Sequence, residues 1–400
     1  MISLTDQKPN LLVYRFTQFI AWFIAFFVFG RKVVRNEIRH AERPFVLIAN
    51  HECALDFVNI IGLTKKPMKF VLSYCILNTL PVRGLAKKLG VIAKQQFQTK
   101  PSDLKSMKRA LDDGYPLVIY PAGLMCEDGL TTPIPKATYK FLKWLNADVY
   151  VARSTGSYFV MPKWAKGMRA GRTLIDVYKL FDRETLAQTE VPVIREKVRE
   201  ALLFDAYREE EQAKLKSQNN RNIEGLENVL YMCPHCLAEC STETEKDRIR
   251  CRICGYEAQS DESGLLHPIG NGNENAFRYV SDWSTMIREH TRKEILNGKF
   301  TELKGKTKIQ LLDLKHKKFV DAGSGMLSLV PGSFRYSGEL NGSEVDLDLP
   351  IRDIPTLPFK PGHHIEIQNG DTIYRCVMEK HQLMMKYVNA VELFYELNNT

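Results

Sequence analysis

The alternation of apolar and polar positions divides the chain into stretches of different texture. The first, Leu11 to Gly30 (LLVYRFTQFIAWFIAFFVFG), is almost wholly apolar and aromatic, broken by Arg15 and Gln18 and followed by Arg31, Lys32 and Arg35. A helix this aromatic has no ordinary soluble surface, and its length is marginal for a membrane span. Tyr14, Trp22 and the trailing cations suit the headgroup zone, so a helix lying in one leaflet is favoured over a spanning one. A buried core helix is the plainer alternative. From Pro44 to about Leu180, short apolar runs alternate with amphipathic stretches, which predicts an α/β unit around a largely buried sheet. Its strands are expected at 45–50, 69–74, 91–95, 116–121, 148–153 and 173–180. One helix opens at Pro101-Ser102-Asp103 and closes at Gly114, a second starts at Pro135 and runs through Leu145, and a third runs from Glu190 to about Ser217. The polar tail of the third reads as a linker, as does Asp261 to Asn275.

Beyond residue 276 the texture changes again. A helix-like stretch, Trp283 to Leu296, leads into short alternating strands joined by hairpin signals at Asn341-Gly342 and Asn369-Gly370, and the amphipathic segment HQLMMKYVNAVELFYEL closes the chain. The expected organisation is a membrane-anchoring helical segment at 1–35, an α/β domain at 36–217, a metal-binding ribbon at 228–260 and a β-rich module at 276–400. Several strands closed by a helix resemble a pleckstrin-homology-like or GRAM-like module.

Charge sharpens this division. The net charge is +9, yet residues 1–125 hold 18 Lys/Arg against 8 Asp/Glu, which leaves the rest close to neutral. The cations flank the apolar segment, which points to an anionic membrane surface rather than to nucleic acid. A signal peptide would carry its charges before the apolar run and end in a small-residue cleavage site, and neither is present. Nine cysteines, four of them in two CxxC pairs, indicate metal binding in a reducing compartment rather than a disulfide framework. The expected location is the cytoplasmic face of a membrane.

Immediately after the strand FVLIAN come His51 and, five positions on, Asp56, at a strand-to-helix junction. Ligands in open α/β sheets gather at such carboxyl ends. A carboxylate holding the proton on one imidazole nitrogen leaves the other free as a base, as activation of a hydroxyl nucleophile requires. A structural cap pair is the alternative. The spacing alone is weak, since His316 and Asp321 repeat it among lysines, where no catalysis is expected.

The sequence around this pair resembles the glycerophosphate and lysophosphatidic acid acyltransferase family over roughly residues 10–215. His51 and Asp56 match its HX4D motif, Gly90-Val91-Ile92-Ala93 its second motif, and Tyr120-Pro121-Ala122-Gly123 with Asp128-Gly129 its third. The resemblance implies a membrane-bound O-acyltransferase in which His51 is the general base, Asp56 orients it and Gly123 lies in the loop facing the acceptor headgroup. Acyl donors would be acyl carrier protein or coenzyme A thioesters, or an acyl phosphate, and membrane lipids the acceptors. The chain departs from the family at Ala122, where Glu is usual, at Leu124 and Met125, where Thr and Arg are usual, and at Gln96, the place of a phosphate-binding Arg. A phosphate wants arginine forks or backbone amides. Lys94, Lys136 and Arg153 are the candidate substitutes, against solvated surface cations as the alternative, and with Asn50 and Gly123 they complete the candidate substrate-binding set. Either the acceptor is altered or the fold survives as an inactive lipid-binding adaptor. Retention of both His51 and Asp56 favours the former.

Cys233, Cys236, Cys251 and Cys254 form two CxxC knuckles separated by 14 residues, the spacing of a structural zinc site, with a redox dithiol pair as the alternative. Arg248, Arg250 and Arg252 raise the question of nucleic acid, but acidic neighbours offset them and counterion release needs a net cationic face. A protein-contact or spacer role is preferred for the ribbon. Serine-hydrolase chemistry is excluded because no GxSxG elbow occurs.

Overall fold

The computed structural model describes residues 7–79, 83–94, 100–215, 222–270, 276–313, 315–316, 318–351, 354–370 and 372–398. Gln96, Gln95 of the expected strand at 91–95, and the ends of both expected linkers fall outside them. The chain forms two compact units, residues 1–162 with 168–218, and residues 163–167 with 219–400.

The first unit opens with helix α1 (Leu11–Phe27), started by Asn10, whose side chain accepts a hydrogen bond from the Val13 amide at 3.1 Å. Tyr14, Ala21 and Ala25 bury one stripe of it against Cys53, Val58, Ile61 and Val160. The opposite side leaves Leu12, Phe16, Phe19, Trp22, Phe23, Phe26 and Phe27 exposed. No described helix is long and apolar enough to cross a membrane; at 17 residues, α1 reaches only about 25 Å. It turns at Gly30, where φ is +51° and a Cβ would lie 2.6 Å from the Gly171 carbonyl.

Strand β1 (Arg31–Asn36) follows and pairs parallel with β7 (Thr173–Phe181). The anchoring segment expected at 1–35 is therefore not helical to its end, because its last five residues enter the sheet. The remaining strands are β2 (Phe45–Ala49), β3 (Lys69–Ser73), β4 (Ile92–Lys94), β5 (Leu117–Ile119) and β6 (Asp148–Thr155), in the order β1-β7-β6-β2-β5-β3-β4. Strands β2 to β6 run parallel, and β7 turns antiparallel to β6. The unbroken apolar run of β2 reflects burial on both faces. Val46 and Ile48 pack into one core with Met107, Leu142 and Val198, while Phe45, Leu47 and Ala49 pack into another with Met68 and Val177.

Helices α2 (Asp56–Ile60), α3 (Tyr74–Thr79), α4 (Arg83–Lys88), α5 (Pro101–Asp112), α6 (Ala137–Leu145), α7 (Ser157–Val160), α8 (Arg183–Gln188), α9 (Val191–Leu202) and α10 (Ala206–Ala213) complete the unit. The single helix expected at 190–217 breaks between α9 and α10. Asp205 caps the second piece, accepting from the Tyr207 and Arg208 amides at 3.1 and 3.2 Å.

On α10, Glu210 is buried with neither carboxylate oxygen hydrogen-bonded, and burial lifts its pKa from the ordinary 4.5 to about 7. The folded state thus holds this proton more tightly than the unfolded chain. That contribution is complete below about pH 4.5 and is lost as pH rises through about 7. We expect the melting temperature of the protein to carry this loss, on the order of 3 kcal/mol, between those limits. Glu210→Gln should flatten that part of the melting-against-pH curve, and an unchanged curve would show that Glu210 is charged in the fold.

The second unit contains a four-stranded antiparallel sheet of β8 (Thr242–Glu245), β9 (Arg248–Cys251), β10 (Glu257–Ser260) and β11 (Leu266–Ile269), in the order β11-β10-β9-β8. Helix α11 (Val280–Leu296) leads to a seven-stranded antiparallel sheet of β12 (Leu303–Asp313), β13 (Lys318–Val330), β14 (Ser333–Leu340), β15 (Ser343–Pro350), β16 (Phe359–Lys360), β17 (His364–Asn369) and β18 (Thr372–Met378). The order is β15-β14-β13-β12-β18-β17-β16, and helix α12 (Leu383–Asn398) closes it. At the expected turn Asn341-Gly342 both residues have positive φ, +52° and +81°, as a two-residue hairpin demands. Helix α12 is buried almost all round and ties the unit together: Tyr387 donates to the Leu327 carbonyl at 3.1 Å, Gln382 to the Thr242 carbonyl at 2.8 Å, and Lys386 pairs with Glu239 at 2.7 Å.

Candidate functional site

Because β2 to β6 are parallel, their carboxyl ends form one edge of the sheet, and the chain leaving β2 supplies Asn50 and His51 there. His51 Nδ1 lies 2.9 Å from Asp56 Oδ2. The same oxygen accepts the Glu52 and Cys53 amides at 2.8 and 3.0 Å, and Cys53 Sγ reaches Oδ1 at 3.3 Å. Asp56 is the first residue of α2, and the loop before it wraps round its carboxylate. With the proton on Nδ1, Nε2 carries the free lone pair. Asp56 is buried while 21 % of the His51 side chain is exposed, so the pair is anchored at one end and open at the other.

The imidazole also stacks on Tyr120, with ring centroids 4.3 Å apart. This partner comes from the loop after β5, the neighbour of β2; the third motif includes it, but the sequence does not show that it stacks on His51. The same loop is joined to the histidine backbone by Cys126, whose amide donates to the His51 carbonyl at 3.2 Å. Gly123, at φ +73° and exposed, turns that loop, with its amide donating to the Tyr120 carbonyl at 3.0 Å. His51 opens onto a narrow cleft of about 10 Å³, whose apolar wall includes Ala122, Leu124, Ile134, Leu202 and Phe204. Its polar lining is Asn50, His51, Thr131 and Thr132. The Thr131 hydroxyl faces the Leu202 and Phe204 carbonyls at 3.3 and 3.2 Å and accepts the Phe204 amide at 2.7 Å, so it holds the wall together.

The other expected substrate contacts fare differently. Asn50 is spent on the protein: its amide nitrogen donates to the Ser154 carbonyl at 2.8 Å and to Glu52 at 3.1 Å, and its oxygen accepts the Ser154 amide at 2.8 Å. It clamps the end of β2 to β6 rather than facing a ligand. Asn50→Asp would set a carboxylate oxygen against the Ser154 carbonyl and Glu52, and should destabilise the protein by about 2–3 kcal/mol. A melting curve within a degree of wild type would refute this clamp.

Arg153 is likewise committed, donating to the Ala201 carbonyl at 3.1 Å and pairing with Glu209. Lys94 ends β4, three strands from β2 and so roughly 14 Å away across the ladder. Burial lowers its pKa, with Asp103 acting in the opposite sense. Lys136 is exposed at the start of α6, two residues beyond Ile134 of the cleft wall. None of these three cations lines the cleft.

Sequence reasoning passed over Glu52. Its side chain is wholly buried and accepts from Asn50 and from the Tyr158 amide at 2.9 Å. Burial pushes its pKa far above the usual carboxylate range, and the charges of Asp56 and Glu209 push the same way. The second His-X4-Asp pair does not meet: His316 Nδ1 contacts Asp313 at 2.6 Å, while Asp321 accepts from Gln310 at 2.8 Å.

In the second unit, the Sγ atoms of Cys233, Cys236, Cys251 and Cys254 lie within 4.8 Å of one another. Cys233 to Cys254 is 3.6 Å and Cys236 to Cys251 is 3.8 Å. A tetrahedral zinc with bonds of about 2.3 Å needs sulfurs about 3.8 Å apart, so the donor set fits that ion. The His235 and Ile253 amides point at Cys233 Sγ and Cys251 Sγ, each at 3.4 Å, as charged thiolates require. The neighbouring arginines are paired with acids: Arg248 with Glu257 at 3.0 Å, Arg250 with Glu243, and Arg252 with Glu243 at 3.8 Å.

Comparison with known proteins bears on the first unit. One similar solved structure is the 1-acyl-sn-glycerophosphate (LPA) acyltransferase PlsC from Thermotoga maritima, 16% identical, covering 50% of this chain and 78% of that one with a TM-score of 0.41. Another is the Ran-binding domain of the nuclear complex component Nup2 from Ashbya gossypii, 20% identical, covering 24% of this chain and 98% of that one with a TM-score of 0.19. No curated protein matches the chain. Residues 30–163, the stretch that carries His51 and Asp56, match the family model described as Acyltransferase.

Proposed function

We propose that this protein is a membrane-associated O-acyltransferase, which moves an acyl chain from a thioester or acyl phosphate donor to the hydroxyl of a lysophospholipid or a related glycerolipid or glycolipid. The observation that carries the reading is the His51–Asp56 pair, buried at Asp56, open to a cleft at His51, and set within a domain that matches the acyltransferase model. In this reading His51 Nε2 takes the proton of the lipid hydroxyl as its oxygen attacks the acyl carbonyl, and Asp56 stabilises the imidazolium that forms. The exposed aromatic side of α1 would lie in the interfacial plane at the cytoplasmic face, bringing the cleft to its lipid. Zinc, held by the four cysteines, would be structural, because four thiolates leave no open position for water. The C-terminal sheet and its closing helix would serve as a pleckstrin-homology-like or GRAM-like module, and with the ribbon would contact a protein partner.

The test is acyl transfer by the purified full chain in detergent, offering labelled acyl carrier protein and coenzyme A thioesters with a panel of lysophospholipids and glycolipids. Labelled lipid ester is the expected product. The loss of Glu, Thr and Arg types at Ala122, Leu124 and Met125 favours a second reading, an inactive lipid-binding adaptor. Lipid binding without any labelled product would establish it.

A further inference from the structure

We propose that the acceptor is an uncharged lipid alcohol, carrying neither phosphate nor carboxylate beside the reacting hydroxyl. The proposal rests on the acyl-transfer reading of His51 and follows from what its cleft offers a ligand. The wall is apolar at Ala122, Leu124, Ile134 and Phe204. Of its polar groups, the Asn50 amide is consumed by Ser154 and Glu52, and the Thr131 hydroxyl by Leu202 and Phe204. Among the side chains of the cleft, His51 and Thr132 are left to meet a ligand, enough to recognise one hydroxyl.

No Lys or Arg lines this cleft among the described residues. A phosphate entering here would leave water without a cation or a guanidinium fork to replace it. The nearby field is adverse as well. The buried Cys126 thiol, on the loop bonded to the His51 backbone, has its pKa raised by burial and then by the carboxylates of Glu52, Asp128, Glu127 and Asp56. Of these, Asp128, Glu127 and Asp56 would repel an anionic headgroup. An uncharged alcohol pays neither cost. In the step itself the alcohol oxygen forms the new ester bond to the acyl carbon and its proton passes to His51. The carbon–sulfur bond of the donor breaks, and the thiolate leaves with that proton.

The experiment compares monoacylglycerol with lysophosphatidic acid of the same chain length, each in neutral detergent micelles, as acceptors for a labelled acyl thioester and the full chain. At least a tenfold higher kcat/KM for monoacylglycerol is expected, and equal or better use of lysophosphatidic acid overturns the proposal. Ala122→Arg and Thr132→Arg each place a guanidinium in the wall, and either should move the ratio at least tenfold toward lysophosphatidic acid. A ratio unmoved in both, with melting curves intact, also overturns it. Thioester consumption that depends on His51 but acylates neither alcohol sinks the acceptor assignment alone. Absence of any His51-dependent consumption sinks the acyl-transfer reading itself.

Discussion

His51→Ala is expected to lower acyl transfer by about 10³-fold, the loss of a positioned general base, while leaving the fold and lipid binding intact. The geometry says why the fold should survive. Asp56 keeps the Glu52 and Cys53 amides on the same oxygen when the imidazole is gone, so the loop after β2 retains its shape. The stacked face of Tyr120 loses a neighbour that was already partly open to solvent. Paired measurements of turnover and melting temperature separate this outcome from simple unfolding. Wild-type turnover in His51→Ala would place the base elsewhere and refute the role assigned to the pair. Asp56→Asn should share most of the loss but also melt lower, because an amide in that position turns a donor toward one of the groups that now donate to it.

Removal of the zinc proposed for the four cysteines should have the largest effect on stability. Cys233 and Cys251 are buried, and the strands between them are short, so the ribbon has little core of its own to replace the ion. Free energies on the order of 10 kcal/mol accompany structural zinc in small domains, enough to unfold the ribbon outright. Its loss should be visible at Trp283, fully buried, whose indole donates to the Met232 carbonyl at 2.8 Å next to the first knuckle. Chelator treatment, or Cys251→Ser, is expected to remove one zinc per chain by elemental analysis and to shift the tryptophan emission to the red. A metal-free protein with unchanged emission and melting would assign the four thiols to something other than structure.

What the sequence made legible depended on whether the cause was local. Strand β2 is readable because burial on both faces leaves an unbroken apolar run, and the Asn341-Gly342 turn because only residues tolerant of positive φ suit it. Strand β1 was hidden, since RKVVRN is a charged strand at the edge of the described sheet, and its neighbour β7 lies some 140 residues away. The break between α9 and α10 was hidden by helix-forming composition on both sides. At the site, His51 and Asp56 could be found because they are five residues apart. Their support could not, because Tyr120 reaches His51, and Ser154 and Tyr158 reach the neighbouring Asn50 and Glu52, only through the order of the strands. Arg153 shows the reverse error: a cation near the motifs in sequence is spent on Glu209 in space.

Helix α1 is fastened to the region of α2 by more than its apolar stripe. Tyr14 exchanges hydrogen bonds with the Met68 backbone at 3.3 and 2.9 Å, Gln18 donates to the Ile61 and Thr64 carbonyls at 2.8 and 3.1 Å, and Arg31 donates to the Asn59 carbonyl at 2.9 Å. Asp56 begins α2, and these anchors converge on the end of that helix and the segment that follows it. With the aromatic side of α1 in a lipid interface, the depth of His51 below the headgroups would be fixed by covalent geometry and these few bonds. The protein would then act as a gauge, selecting hydroxyls by their height in the leaflet before any contact in the cleft is made.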